Sequence, residues 1–224
     1  MPLKNEIRVI TITSQGKTGD GVGFLDDLPV YIPNCIPGDL VQIKVVKVEK
    51  RRAYGKLLAV LEPSTHRVEP QCHVAARCGG CQLQHQSQDS QLNFKQKLLI
   101  DRLGRFIKLD TVDVLGMIPS TNQYMFRNKM QFSFAMVDGE LHIGLYAARS
   151  HRVVNTRKCP IMFPSMNDVI ESIRGWHQVN FVPVFNEAQG VGVLRHLTIR
   201  YSSSTQAFPL RRYQLTLGKT HFHA

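Results

Sequence analysis

Three cysteines crowd into ten residues, Cys72, Cys78 and Cys81, and a fourth, Cys159, is followed by Pro160 far downstream. Four thiolates satisfy a 4Fe-4S cube, the three close ones wrapping one side and the distant one closing the other. Gly79 and Gly80 lie between two of them, where a tight bend would aim backbone N–H groups at sulfur. Tetrahedral zinc takes the same donors, with His73 and His85 as substitutes, although a second closely spaced ligand pair is missing. Spacing alone therefore leaves cluster and zinc open. Either fits a reduced compartment better than a disulfide framework would, because the chain has five cysteines, an odd number. The fifth, Cys35, lies in a turn between Pro33 and Pro37 and reads as a small buried residue rather than a nucleophile.

Two further runs carry chemistry of another kind. Tyr124, Phe126, Arg127, Asn128 and Lys129 mix aromatic faces, cations and an amide, the set that single-stranded RNA requires for stacking, phosphate and base edges. The plain alternative is a strand start with core aromatics and solvated charges. Arg149, His151, Arg152, Arg157 and Lys158 form a second basic run leading into Cys159. The chain holds 28 Lys and Arg against 17 Asp and Glu, a net charge of +11 that favours a polyanionic partner. Residues 1–62 contribute nine basic and seven acidic residues, so most of the excess lies after Pro63.

The elements that position these residues follow from patterning. Residues 7–13, 21–25, 29–32, 40–48 and 56–61 read as short strands between turn clusters, enough for a small closed barrel of the OB type. Thr18-Gly19-Asp20-Gly21-Val22-Gly23 invites a dinucleotide reading, but strands on both sides make it a hairpin turn, and no other glycine-rich strand-to-helix turn suits a nucleotide. A linker at 62–65 leads to the cysteine cluster and a helix predicted over 88–107, whose apolar face must pack on something. Strands are expected at 112–118, 129–137, 140–146, 152–155, 181–186 and 192–200, with Asp138-Gly139 as a two-residue hairpin turn. A second helix is expected over 165–176, capped by Ser165 and ending near Gly175. The fold class is thus α+β: an OB-like barrel followed by a mixed α+β domain with the metal site. Nothing at the start resembles a signal peptide and no stretch is apolar enough to span a bilayer, so the protein is read as cytoplasmic.

In order and spacing these residues resemble the RNA (uracil-5-) methyltransferases, specifically bacterial enzymes of 23S ribosomal RNA that begin with a TRAM domain. The TRAM likeness runs through Gly19–Gly23, Val30-Tyr31-Ile32-Pro33 and Ile36-Pro37-Gly38-Asp39. Beyond it, Cys72, Cys78-Gly79-Gly80-Cys81, Phe126-Arg127-Asn128-Lys129, Gly144-Leu145-Tyr146, His151, Cys159-Pro160-Ile161 and Leu194-Arg195-His196-Leu197 follow the family's central domain. The resemblance implies domains at 1–62 (TRAM), 63–200 (central iron–sulfur) and an atypical tail at 201–224. It implies a 4Fe-4S cluster on Cys72, Cys78, Cys81 and Cys159, deciding against zinc, with the cluster as a structural staple. RNA contacts fall to Phe126, Arg127, Asn128, Lys129, His151 and Arg152.

Family members continue into a Rossmann-like domain that binds S-adenosylmethionine and carries the cysteine attacking uracil C6. After Arg200 this sequence leaves the family's pattern. The expectation is therefore a truncated RNA-binding portion without catalytic residues or an S-adenosylmethionine site of its own. It would bind 23S ribosomal RNA, avoid membranes and work with a separately encoded methyltransferase domain. The rival readings are a stand-alone iron–sulfur RNA-binding or ribosome-assembly protein and a ferredoxin-like redox protein.

Overall fold

The computed structural model describes residues 2–202 and the backbone of 212–217. These residues fall into two compact units: the stretch up to Pro70 together with Cys81–Ser120, and Gln71–Gly80 together with the residues from Thr121 onward. The fold is mixed α+β, and its N-terminal strands form a barrel-like sheet.

The first unit holds β1 (Ile7–Thr11), β2 (Ser14–Gln15), β3 (Gly21–Leu25), β4 (Leu28–Ile32), β5 (Leu40–Glu49) and β6 (Arg52–Glu62), in sheet order β1-β5-β6-β4-β3-β2. Alternation decides which side chains go inward: Leu28, Val30 and Ile32 of β4 and Val41 and Ile43 of β5 join Ile10, Ile12 and Ala53 in one core. The sheet curls until its ends meet, and just past β1 the Thr13 N–H donates to the Val22 carbonyl at 2.9 Å. Gly23 allows that approach, because a Cβ there would stand 2.6 Å from the Thr11 carbonyl oxygen. Closure removes the exposed edges that a short sheet would otherwise present. The expected hairpin turn lies at residues 16–20, with Gly19 at φ +89°, while Gly21 to Gly23 already belong to β3.

Asp39 locks the barrel to the chain that leaves it. Fully buried, it accepts from the Ile36 N–H at 2.8 Å and the Ser64 N–H at 3.0 Å, and from Arg67 through Nε at 3.0 Å and Nη2 at 2.6 Å. Burial alone would raise this carboxyl. The Arg67 and backbone donors outweigh it and hold Asp39 below the usual carboxylate range. Arg67 in turn bridges to Gln86, and the His66 carbonyl accepts the Ser87 N–H at 2.8 Å, at the root of α1 (Gln88–Leu103).

The second unit is an antiparallel sheet, β11-β10-β7-β8-β9, built from β7 (Lys129–Val137), β8 (Glu140–Tyr146), β9 (Val153–Asn155), β10 (Leu194–Arg200) and β11 (Arg212–Leu217). Met130, Phe132 and Phe134 of β7 and Leu194, Leu197 and Ile199 of β10 point inward, alongside Met166, Val169, Ile170 and Ile173 of α2 (Pro164–Asn180). Asp138 and Gly139, at φ 49° and 82°, make the expected tight turn.

Several element boundaries differ from expectation. Helix α2 starts after Phe163 with Pro164 in its first turn, not at a Ser165 cap, since a proline's fixed φ suits that position and needs no donor. It runs through Gly175 and stops at Phe181 in the left-handed conformation. Residues 112–118 are not a strand but lie along α1, where the Met117 N–H reaches Gln96 Oε1 at 3.4 Å. Residues 181–186 form isolated bridges, Val184 with Leu194 and Asn186 with Val191, rather than a strand. Of the tail at 201–224, residues 203–211 and 218–224 lie outside the described residues. Among the described residues no helix is long and apolar enough to cross a membrane.

Candidate functional site

Cys72 and Cys78 lie in one small buried cluster with Val74, Ala147 and Val154. A turn joins them, because the Ala75 N–H donates to the Cys72 carbonyl and the Cys78 N–H to that of Val74. Cys78 then bridges to Ala147, and the Gly79 N–H donates to the Tyr146 carbonyl at 2.9 Å, so the loop is stitched to the end of β8. Glycine is needed at Gly79 itself, where a Cβ would stand 2.8 Å from the Tyr146 carbonyl oxygen and 3.0 Å from the Ala148 nitrogen. The next N–H, that of Gly80, points at Cys78 Sγ from 3.4 Å. A donor aimed at sulfur and a backbone cradle at Gly79-Gly80 suit a thiolate that ligates an electron-rich group.

Cys159 is buried in the same unit, its N–H held by Asn167 Oδ1 at 2.8 Å, and Cys81 is half-buried at the start of the first unit's second segment. His73 is exposed and His85 buried. Among the described residues, no three His, Cys, Asp or Glu side chains stand close enough to hold a metal ion. Cys35 is wholly buried, and burial followed by the nearby Asp39 charge pushes its thiol up to about 12, which removes it as a nucleophile.

The first RNA run is at the surface. Phe126 is 58% exposed, so it is not a core aromatic, and Arg127, Asn128 and Lys129 are exposed beside it. Its backbone runs alongside the Cys159 loop: the Met125 N–H donates to the Pro160 carbonyl and the Arg127 N–H to that of Ile161. The second run is tied to the other cysteine loop through Tyr146. That residue's carbonyl accepts from Gly79 while its ring stacks on His151, centroids 5.2 Å apart and planes 22° off parallel. Arg152 is exposed next to His151.

Around His151 the structure assembles residues that the sequence reading did not connect. His151 Nδ1 donates to Glu187 Oε2 at 3.2 Å, and Arg195 lies 3.7 Å from Glu187 and 4.9 Å over the Phe185 ring. The His151 hydrogen bond, with Arg195 nearby, holds Glu187 below the usual carboxylate range. No periodicity or spacing marks Phe185 or Glu187, which reach the site from a loop far along the chain.

Residues 3–58 match the TRAM domain. The chain is 36% identical over 204 residues to an uncharacterized RNA methyltransferase of Clostridium tetani and 37% identical over 204 residues to one of Clostridium acetobutylicum; each alignment takes in 90% of this chain and 44% of the relative. Its structure resembles that of the Pyrococcus abyssi tRNA (uracil-54, C5)-methyltransferase in complex with S-adenosyl-L-homocysteine, with a TM-score of 0.66 and 25% identity over 93% of this chain and 45% of that one. The chain thus spans less than half the length of the relatives it matches.

These matches overturn the expectation of a truncated, non-catalytic RNA-binding portion. They run through nine-tenths of the chain into proteins named for methyl transfer, whereas the expectation rested on where the sequence stops, which carries no such conclusion. A separately encoded methyltransferase domain and the two non-methyltransferase rivals fall with it.

Proposed function

We propose that this chain serves the S-adenosylmethionine-dependent methylation of uracil C5 in RNA, with a uridine of 23S ribosomal RNA as its target and the cytoplasm as its location. The observation that carries this reading is the likeness in fold, over 93% of the chain, to a uracil-C5 methyltransferase solved with S-adenosyl-L-homocysteine. In that chemistry a thiolate adds to uracil C6, C5 takes the methyl group from the sulfonium, and a base removes the C5 proton as the thiolate departs. No described residue is assigned the thiolate or the base. The barrel of residues 1–62 and the surface carrying Phe126, Arg127, Asn128, Lys129, His151 and Arg152 grip RNA and place the uridine.

Within residues 63–200 we assign a 4Fe-4S cluster to Cys72, Cys78, Cys81 and Cys159. The support is the Gly80 donor on Cys78 sulfur and the glycine cradle, and the cluster's part is to staple the cysteine loops beneath the RNA-facing runs. Methyl incorporation from labelled S-adenosylmethionine into unmodified 23S ribosomal RNA and transfer RNA transcripts tests the function. Labelled 5-methyluridine in the ribosomal transcript is expected; label in neither transcript sinks the reading, and label in transfer RNA alone reassigns the substrate. Anaerobic purification with iron and sulfide analysis tests the cluster. Stoichiometric zinc without sulfide overturns it.

A further inference from the structure

We infer that a pocket on the second unit, at the face of β7 and the 183–193 loop, takes an unstacked nucleobase of single-stranded RNA, preferring one with N–H donors on its edge. The inference rests on the proposed RNA-modifying function and adds a base-reading site to it. The pocket has a volume of about 770 Å³, room for a nucleotide with neighbouring backbone.

Two flat pairs line it: the Tyr146–His151 stack and the Arg195–Phe185 pair. Each presents a π-face with a ring nitrogen or guanidinium, the surfaces on which bases stack whatever their sequence. Glu187 joins the two pairs, 3.2 Å from His151 and 3.7 Å from Arg195. A carboxylate there repels a phosphate but accepts from base N–H groups. Guanine fits best, since its N1–H and exocyclic amine can face Glu187 while its O6 and N7 accept from a guanidinium.

The wall is preorganised. The Asn186 N–H donates to the Val191 carbonyl, the Gly190 N–H to the Asn186 carbonyl and the Phe185 N–H to that of Leu194, while Asn186 Oδ1 accepts from Ala188 and Gln189. Gly192, at φ +118°, is where a Cβ would run into the Val184 carbonyl. A loop fixed by its own bonds loses little freedom on binding, so its aromatic and charged groups are held ready.

The test uses the whole protein and two short oligouridines, one with a single central guanosine and one with an abasic ribose there, read by fluorescence anisotropy. The guanosine oligomer is expected to bind about tenfold tighter than the abasic one. That ratio should collapse in the His151→Ala, Arg195→Ala double variant, whose side chains are 82% and 43% exposed and so leave the fold intact. His151→Phe, which keeps a stacking face, should retain most of it, and Glu187→Gln, which weakens the acceptor for the guanine N–H groups, should lower it. Equal binding of the two oligomers by the wild-type protein, or an undiminished ratio in the double variant, overturns the pocket while leaving the RNA-modifying reading intact. Binding of neither oligomer overturns both.

Discussion

Helix α2 buries Met166, Val169, Ile170 and Ile173 against its sheet, and Arg174 reaches across to the Leu141 carbonyl and Asn155 Oδ1; helix α1, of nearly the same length, buries no residue at all. What fixes α1 is at its beginning: Gln91 Nε2 donates to the Leu83 and Gln86 carbonyls, and the buried Gln86 bonds Ser90 and Gln15. One helix is held along its face by apolar burial, the other at its root by polar bonds. In sequence, apolar spacing marks α1 and end signals mark α2, so periodicity reports which residues could pack and not whether a partner surface is there.

The contrast breaks most completely at Asp39, whose pairing with Arg67 fixes the chain segment from which α1 grows. Asp39→Ala should cost about 3–5 kcal/mol, because it takes the carboxylate from the part-buried Arg67 guanidinium and leaves the Ile36 and Ser64 N–H groups without their acceptor. Hydrogen exchange should show α1 losing protection while α2 keeps its own. The same lock makes the first unit acid-sensitive. The folded pKa of Asp39 lies below its unfolded value, so its stabilisation is complete above the unfolded value and is lost as pH falls through the folded one. An unfolding series that found the Asp39→Ala variant as pH-dependent as the wild type would remove Asp39 as the cause.

For α2 the test is the core. Ile170 is fully buried, and Ile170→Ala should cost about 2–5 kcal/mol through lost transfer energy and the cavity left behind. Denaturant unfolding of the variant should show the loss in the second unit, with the barrel transition unmoved. A loss below about 1 kcal/mol would mean that the site collapses around the smaller side chain.

Much of this was legible beforehand for a physical reason: short-range patterns carry it. The strands Gly21–Leu25, Lys129–Val137 and Glu140–Tyr146 lie where alternation and the Asp138-Gly139 turn put them. Residues 112–118 carry the same kind of pattern yet stay out of any sheet, because a strand also needs a neighbour to bond. The RNA runs and cysteine loops were visible as residue types, and the structure adds that Tyr146 and the 160–161 backbone bring each run beside a cysteine loop. That Phe185, Glu187 and Arg195 meet around His151 was not visible, since it is a long-range consequence of how the 183–193 loop folds back on β10.

The smallest expected effect is on the exposed side of α1. Leu99 is 43% exposed, so Leu99→Ala removes few contacts, while alanine's helix propensity is at least as good as leucine's. The change should stay within about 0.5 kcal/mol by the same denaturant measurement that reads Ile170→Ala. Phe106, Leu115 and Ile118 are more exposed still, at 86%, 82% and 92%. If Leu99→Ala instead cost as much as Ile170→Ala, α1 would have to be covered in solution by a surface that the described residues do not supply. The two helices would then differ in where their partner lies rather than in how they are held.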